Sequence, residues 1–119
     1  MSLLGEIAAE VAFRDGDAWL DAVLAQLAGN RDRLAAELGE KLPEVRWQPP
    51  EATYLTWLDC RGLDLEGEPG NLFLQRGRVA LGPGLDYGHP GAGHVRLNFA
   101  TGPEHLIEAV TRMAAALRT

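Results

Sequence analysis

The stretch "HVRLNFA", residues 94–100, alternates Val95, Leu97 and Phe99 with Arg96 and Asn98. Side chains of a strand point to opposite faces in turn, so this spacing predicts a strand with one apolar face. The other face carries a permanent cation and an amide. Outward from it, "TYLTWLDC" (53–60) is the richest run of β-branched and aromatic residues in the chain and predicts a second strand. "EVRWQ" (44–48) and "RVAL" (78–81) predict two shorter ones. Residues 82–93, "GPGLDYGHPGAG", hold five glycines and two prolines and predict a long special loop.

Helical spacing brackets these strands. Leu3, Leu4, Ile7, Ala8 and Val11 predict a first helix over residues 3–13, which "RDGD" breaks. Asp17 is expected to cap a second helix running to about Leu38, with Gly39 as its stop and Pro43 barring continuation. Along it Leu20, Val23, Leu24, Leu27, Leu34 and Leu38 form one stripe, with Arg31 at its centre. "RGLDLEGEPGN" reads as loop with one helical turn, and "NLFLQR" as a short helix. Thr101 and Glu104 predict a capping box for a last helix with Pro103 in its first turn. Leu106, Ile107, Val110, Met113 and Leu117 line one face of that helix, and Arg112 and Arg118 lie toward its C-terminus, where the dipole favours cations. The expected fold is α+β: one two-layer domain over residues 1–119, helices packed on one face of a small, mainly antiparallel sheet.

Composition narrows the partners. The chain has 119 residues, 46% hydrophobic and 24% charged, enough for one folded domain. A net charge of −6 with no basic run argues against nucleic acid. No apolar run is long enough to span a bilayer, so no membrane is expected. The single cysteine, Cys60, excludes an internal disulfide and fits a reducing compartment, which makes the cytoplasm the expected location. The opening "MSLLGEIAAEV" goes straight into a helical pattern; a natural start and a chain cut from something longer both fit it.

Most side chains read as structural. No Walker or Rossmann phosphate loop is present, since "GPGLDYG" neither keeps the spacing nor opens a helix. His89 and His94 flank the glycine loop with no cysteine near and only Asp86 as a carboxylate, so no metal is expected. His105 reads as a surface residue, Cys60 as a buried inert thiol, and Asp59 as the cap of the turn after its strand. Arg96 is the exception. Its planar fork matches a carboxylate bidentately, and a strand holds it at one geometry. Asn98 on the same face is a possible supporting donor. The rival reading pairs Arg96 with Asp59 or Asp86 in a surface ion pair.

Several motifs occur in family order. Pro50, Glu51, Ala52, Thr53, Tyr54, Leu55, Thr56, Trp57, Leu58, Asp59 resembles a Pro-x-Gly-Thr-Tyr-Leu-x-Trp-Leu-Asp strand. Gly84 to Gly88 resembles a Gly-x-x-Phe-Gly loop, and Arg96 to Ala100 matches an Arg-Leu-Asn-Phe-Ala strand. "WLDAVLAQLAGNRDRL" resembles the helix that precedes them. Together they resemble the C-terminal small domain of fold-type I, pyridoxal-phosphate-dependent aminotransferases, in the cystathionine β-lyase or C–S lyase branch. Ala52 in place of glycine and Tyr87 in place of phenylalanine are the departures.

The resemblance implies that Arg96 binds the α-carboxylate of an amino-acid substrate and orients it over the cofactor. It implies pyridoxal 5′-phosphate in the full-length enzyme, a homodimer, and either β-elimination or transamination. It also implies that the cofactor's lysine and phosphate grip belong to a large domain absent here. The only lysine, Lys41, matches no motif and reads as a solvated surface residue. The chain is therefore expected to be a fragment that binds no cofactor tightly, contains no catalytic or cofactor-binding residue, and is inactive alone. Its apolar first helix and Arg31 are expected to face the missing domain. Two alternatives stand beside this: a stand-alone module binding a small carboxylate through Arg96, and a purely structural domain.

Overall fold

The period-two runs become the two long strands of a four-stranded sheet. The computed structural model describes residues 2–118, and its strands are β1 (Arg46–Trp47), β2 (Leu55–Asp59), β3 (Gly82–Pro83) and β4 (His94–Asn98). Their order across the sheet is β1-β2-β4-β3, and every neighbouring pair is antiparallel. The helices are α1 (Leu3–Asp15), α2 (Asp17–Lys41), α3 (Pro69–Gly77) and α4 (Pro103–Ala116).

One sheet face builds the core. Leu58, Val95, Leu97 and Phe99 pack with Leu34 and Leu38 of α2, Phe73 of α3, and Leu106, Val110 and Met113 of α4. Each such side chain, removed from water, contributes about 1.5–3 kcal/mol. The helix α4 lies against both α2 and α3. Helices therefore cover one sheet face, as the α+β two-layer reading requires.

Local details differ from the sequence reading. Asp17 does not cap α2: Gly16 holds the cap position in a helical conformation, and the break between α1 and α2 is that one residue. Gly39 does not stop α2, which runs on to Lys41. "RVAL" is not a strand. Arg78 takes a left-handed conformation (φ 55°) just after α3, and the Val79 N–H bonds back to the Phe73 carbonyl at 3.0 Å. That closing turn directs Val79 into the core and moves pairing with β4 on to Gly82 and Pro83. The capping box does not form: Gly102 caps α4 without a side-chain bond, and Pro103 is its first residue. Lys41 is not simply solvated. It reaches Glu37 Oε2 at 2.6 Å and Thr111 Oγ1 at 2.8 Å, tying α2 to α4.

The long loop is bound to itself. It folds into two 3₁₀ turns, Gly84–Tyr87 and His89–Gly91. A Cβ on Gly84 would lie 2.0 Å from the Gly91 carbonyl oxygen, and one on Gly91 would lie 1.9 Å from that of Gly84. Only two glycines permit that approach, which fixes the loop over the edge of β4.

Candidate functional site

Strand register puts one group of side chains on the sheet face away from the core. Antiparallel partners share a face. Arg46 is opposite Asp59, and Asp59 opposite His94. Trp57 is opposite Arg96, which is also opposite Gly82. Leu55 is opposite Asn98. Arg96 thus sits mid-sheet, between an indole on one side and a glycine on the other. At Gly82 an added Cβ would be in ordinary contact with Arg96 Cβ at 3.4 Å and Nε at 3.5 Å, so the arginine stem runs close beside β3.

The carboxylates that could neutralise Arg96 are not beside it. Asp59 is held by Arg61, with Nε–Oδ1 at 2.8 Å and Nη2–Oδ2 at 2.7 Å. No ion pair joins Asp86 to Arg96 among the described residues, and the Arg96 guanidinium makes no side-chain hydrogen bond there. What it meets instead is an aromatic face: Cζ lies 5.2 Å from the centre of the Tyr87 ring. Tyr87 in turn meets Trp57 edge-on, centroids 5.5 Å apart at 86°. Trp57 stacks on His94 at 5.6 Å and 22°. The His94 ring is fixed by Nδ1 on the Ala92 carbonyl at 2.8 Å, and its Nε2 lies 3.7 Å from Asp59 Oδ1.

Electrostatics separate the neighbours. The Arg61 guanidinium holds the Asp59 carboxyl well below the usual carboxylate range, against a smaller opposing effect of burial. Asp59 Oδ1 also accepts the Arg61 N–H at 3.1 Å, the turn cap expected of it. Burial pushes the Cys60 thiol up to about 12, with the Asp59 charge adding to the effect, so this cysteine is inert as a nucleophile.

Asn98 lies on the same face, two residues along from Arg96, but its Oδ1 accepts the Ala100 N–H at 2.8 Å. Its Nδ2 is the group it has to offer a ligand. His89 and His105 are exposed, and among the described residues no group of three or more metal-ligating side chains gathers. Trp57, Tyr87 and His94 were not expected at the site. The one sequence signal for Trp57 was its place between two inward residues of β2, Thr56 and Leu58. Tyr87 and His94 needed the loop and the strand register.

The described residues do not by themselves fit pyridoxal 5′-phosphate. That group needs a lysine amine, and Lys41 is bonded between two helices on the opposite side of the sheet from Arg96. The arrangement can bind and orient an anion. It has no group with which to hold the cofactor covalently.

No family model matches the chain. Curated relatives do. The cystathionine β-lyase of Corynebacterium glutamicum is 41% identical over 98% of this chain and 31% of its own length. The MalY protein of Escherichia coli is 35% identical over 98% of this chain and 30% of its own. Among solved structures, the PLP-bound C–S lyase of Staphylococcus hominis superposes with a TM-score of 0.91 at 29% identity, covering 98% of this chain and 31% of that one. The chain spans about a third of the length of the curated relatives it matches. The resemblance to the cystathionine β-lyase and C–S lyase branch holds in sequence and in fold.

Proposed function

We propose that this chain is the substrate-side, C-terminal domain of a pyridoxal-phosphate-dependent C–S lyase or aminotransferase, and that Arg96 binds the α-carboxylate of its amino-acid substrate. The observation that carries this reading is a strand-fixed guanidinium, half-buried, with no carboxylate partner among the described residues. A cation held that way offers its fork of N–H donors to an incoming anion. Asn98 Nδ2 is the supporting donor. The cofactor, bound by a large domain outside this chain, supplies the bond-breaking chemistry. The residues here bind and orient. Alone, the chain is inactive. The whole enzyme is a cytoplasmic homodimer, a placement supported by the single buried thiol and by the resemblance.

In the whole enzyme the reaction is β-elimination from a sulfur amino acid, giving pyruvate, ammonia and a thiol, or transamination. The choice between them lies with residues outside this chain. The test uses the gene expressed from its own start. Its visible absorption is recorded, L-cystathionine is added, and pyruvate is assayed. A yellow protein that releases pyruvate is the expected result. A yellow protein that releases none moves the reaction to transamination. A colourless product of this same length overturns the enzyme reading and leaves a carboxylate-binding module. In the yellow protein, Arg96→Gln should raise KM for the amino acid about 10- to 100-fold, the scale of a charge-assisted bidentate contact. An unchanged KM would return Arg96 to a structural role.

A further inference from the structure

Arg96 faces a conflict common to anion sites. A guanidinium left loose must be ordered by the ligand, which weakens binding. One ordered by a neighbouring carboxylate has its donors occupied and its charge neutralised. An aromatic face avoids both outcomes, because the negative face of the ring attracts the cation without accepting its N–H hydrogen bonds. The structure shows such a contact, with Arg96 Cζ 5.2 Å from the Tyr87 ring centre.

The ring itself is held. Its loop is closed by the Gly84–Gly91 approach, and the residue after Tyr87 is Gly88 at φ +105°, a conformation that favours glycine. Trp57 meets the ring edge-on, and Trp57 is backed by the stacked His94, whose Nδ1 is fixed on Ala92. Opposite, the arginine stem runs beside Gly82 of β3, within ordinary contact of where a Cβ would stand. Yet Tyr87 is 54% exposed, too open for its main purpose to be filling the core.

We propose that Tyr87 is a positioning residue, whose ring orders the Arg96 guanidinium with its donors free for a carboxylate. This rests on the carboxylate reading of Arg96. The effect is carried by the ring and not the hydroxyl, so phenylalanine should replace tyrosine and leucine should not.

The test is an NMR experiment on this chain. The Arg96 Nε–Hε signal, assigned by its loss in Arg96→Gln, is followed in the free protein and during titration with sodium propionate. In the unsubstituted chain the signal should be displaced by the Tyr87 ring and should move as propionate is added. Tyr87→Leu should return it toward the position of a free arginine and weaken propionate binding about three- to fivefold, the exposed cation–π scale. Tyr87→Phe should keep both the displacement and the affinity. The backbone signals of both variants report that the fold is intact. A Tyr87→Leu chain with an unmoved Arg96 signal and unchanged affinity overturns the proposal while the carboxylate reading stands. A propionate titration that leaves the Arg96 signal of the unsubstituted chain unmoved overturns the carboxylate reading, and with it the purpose assigned to Tyr87.

Discussion

Arg61 closes on Asp59 from two residues away, with both carboxylate oxygens bonded by its guanidinium at 2.8 and 2.7 Å. The pair lies beside Arg46 and His94 on the open sheet face, and it makes stability depend on acid. Folded Asp59 keeps its charge to a lower pH than the 3.8 of the unfolded chain. The unfolded state therefore binds more protons in that window, and stability falls as pH drops below about 4. Most of Arg61 is in water, so the loss should be modest. Thermal midpoints compared between about pH 6 and pH 2 should fall less for Asp59→Asn than for the unsubstituted chain. Equal falls would show that the pair contributes nothing. The sequence made Asp59 legible as a turn cap because that geometry is local. Arg96 was legible because its strand alternates. Tyr87 was not, since eight residues and the His89–Gly91 3₁₀ turn separate it from the arginine it faces.

At the scale of elements, the clearest surprise is Asn30. It falls on the inner side of α2, where the stripe asks for an aliphatic residue, and it is almost fully buried. Its Nδ2 donates to the carbonyls of Phe99 and Thr101, both at 2.8 Å. That clamp fixes the exit of β4. Thr101 is drawn toward α2 through its carbonyl, and the helix begins two residues on, at Pro103. Asn30→Ala should leave two carbonyls without a partner and cost about 2–3 kcal/mol, measured as a lower urea midpoint at unchanged slope. A loss below about 0.5 kcal/mol would show that water replaces the amide without penalty. The misread "RVAL" teaches the same lesson from the other side. Its alternation is real, and Val79 is buried, but a left-handed Arg78 closes the preceding helix, and backbone pairing starts later. Patterns of apolar residues report burial. They do not report which backbone groups pair.

For the molecule as a whole, the two layers followed from periodicity, whereas the strand order and the outline did not. The chain measures 51 × 30 × 23 Å, with a radius of gyration of 17.0 Å, against about 13–14 Å for a compact chain of this length. The excess comes from α1 and the first half of α2. No residue of α1 is buried, and Leu4 (78%), Phe13 (89%) and Trp19 (69%) are open to solvent. Where α2 passes the 50–54 turn, Trp19, Leu24, Leu27, Arg31 and Tyr54 line an apolar groove of about 430 Å³. The stripe read from the sequence is therefore two surfaces. Leu34 and Leu38 serve the core, while Leu20 and Leu24 serve nothing within the described residues. Exposed apolar surface of this extent drives association in water. The isolated chain should therefore sediment as dimers or larger species at about 100 µM. Leu4→Glu with Ile7→Glu, on the open side of α1, should shift it to monomer with little change in thermal midpoint, because neither side chain is in the core. A monodisperse monomer before any substitution would mean that α1 folds back onto its own chain in solution, and a midpoint that falls with the two glutamates would then locate that contact.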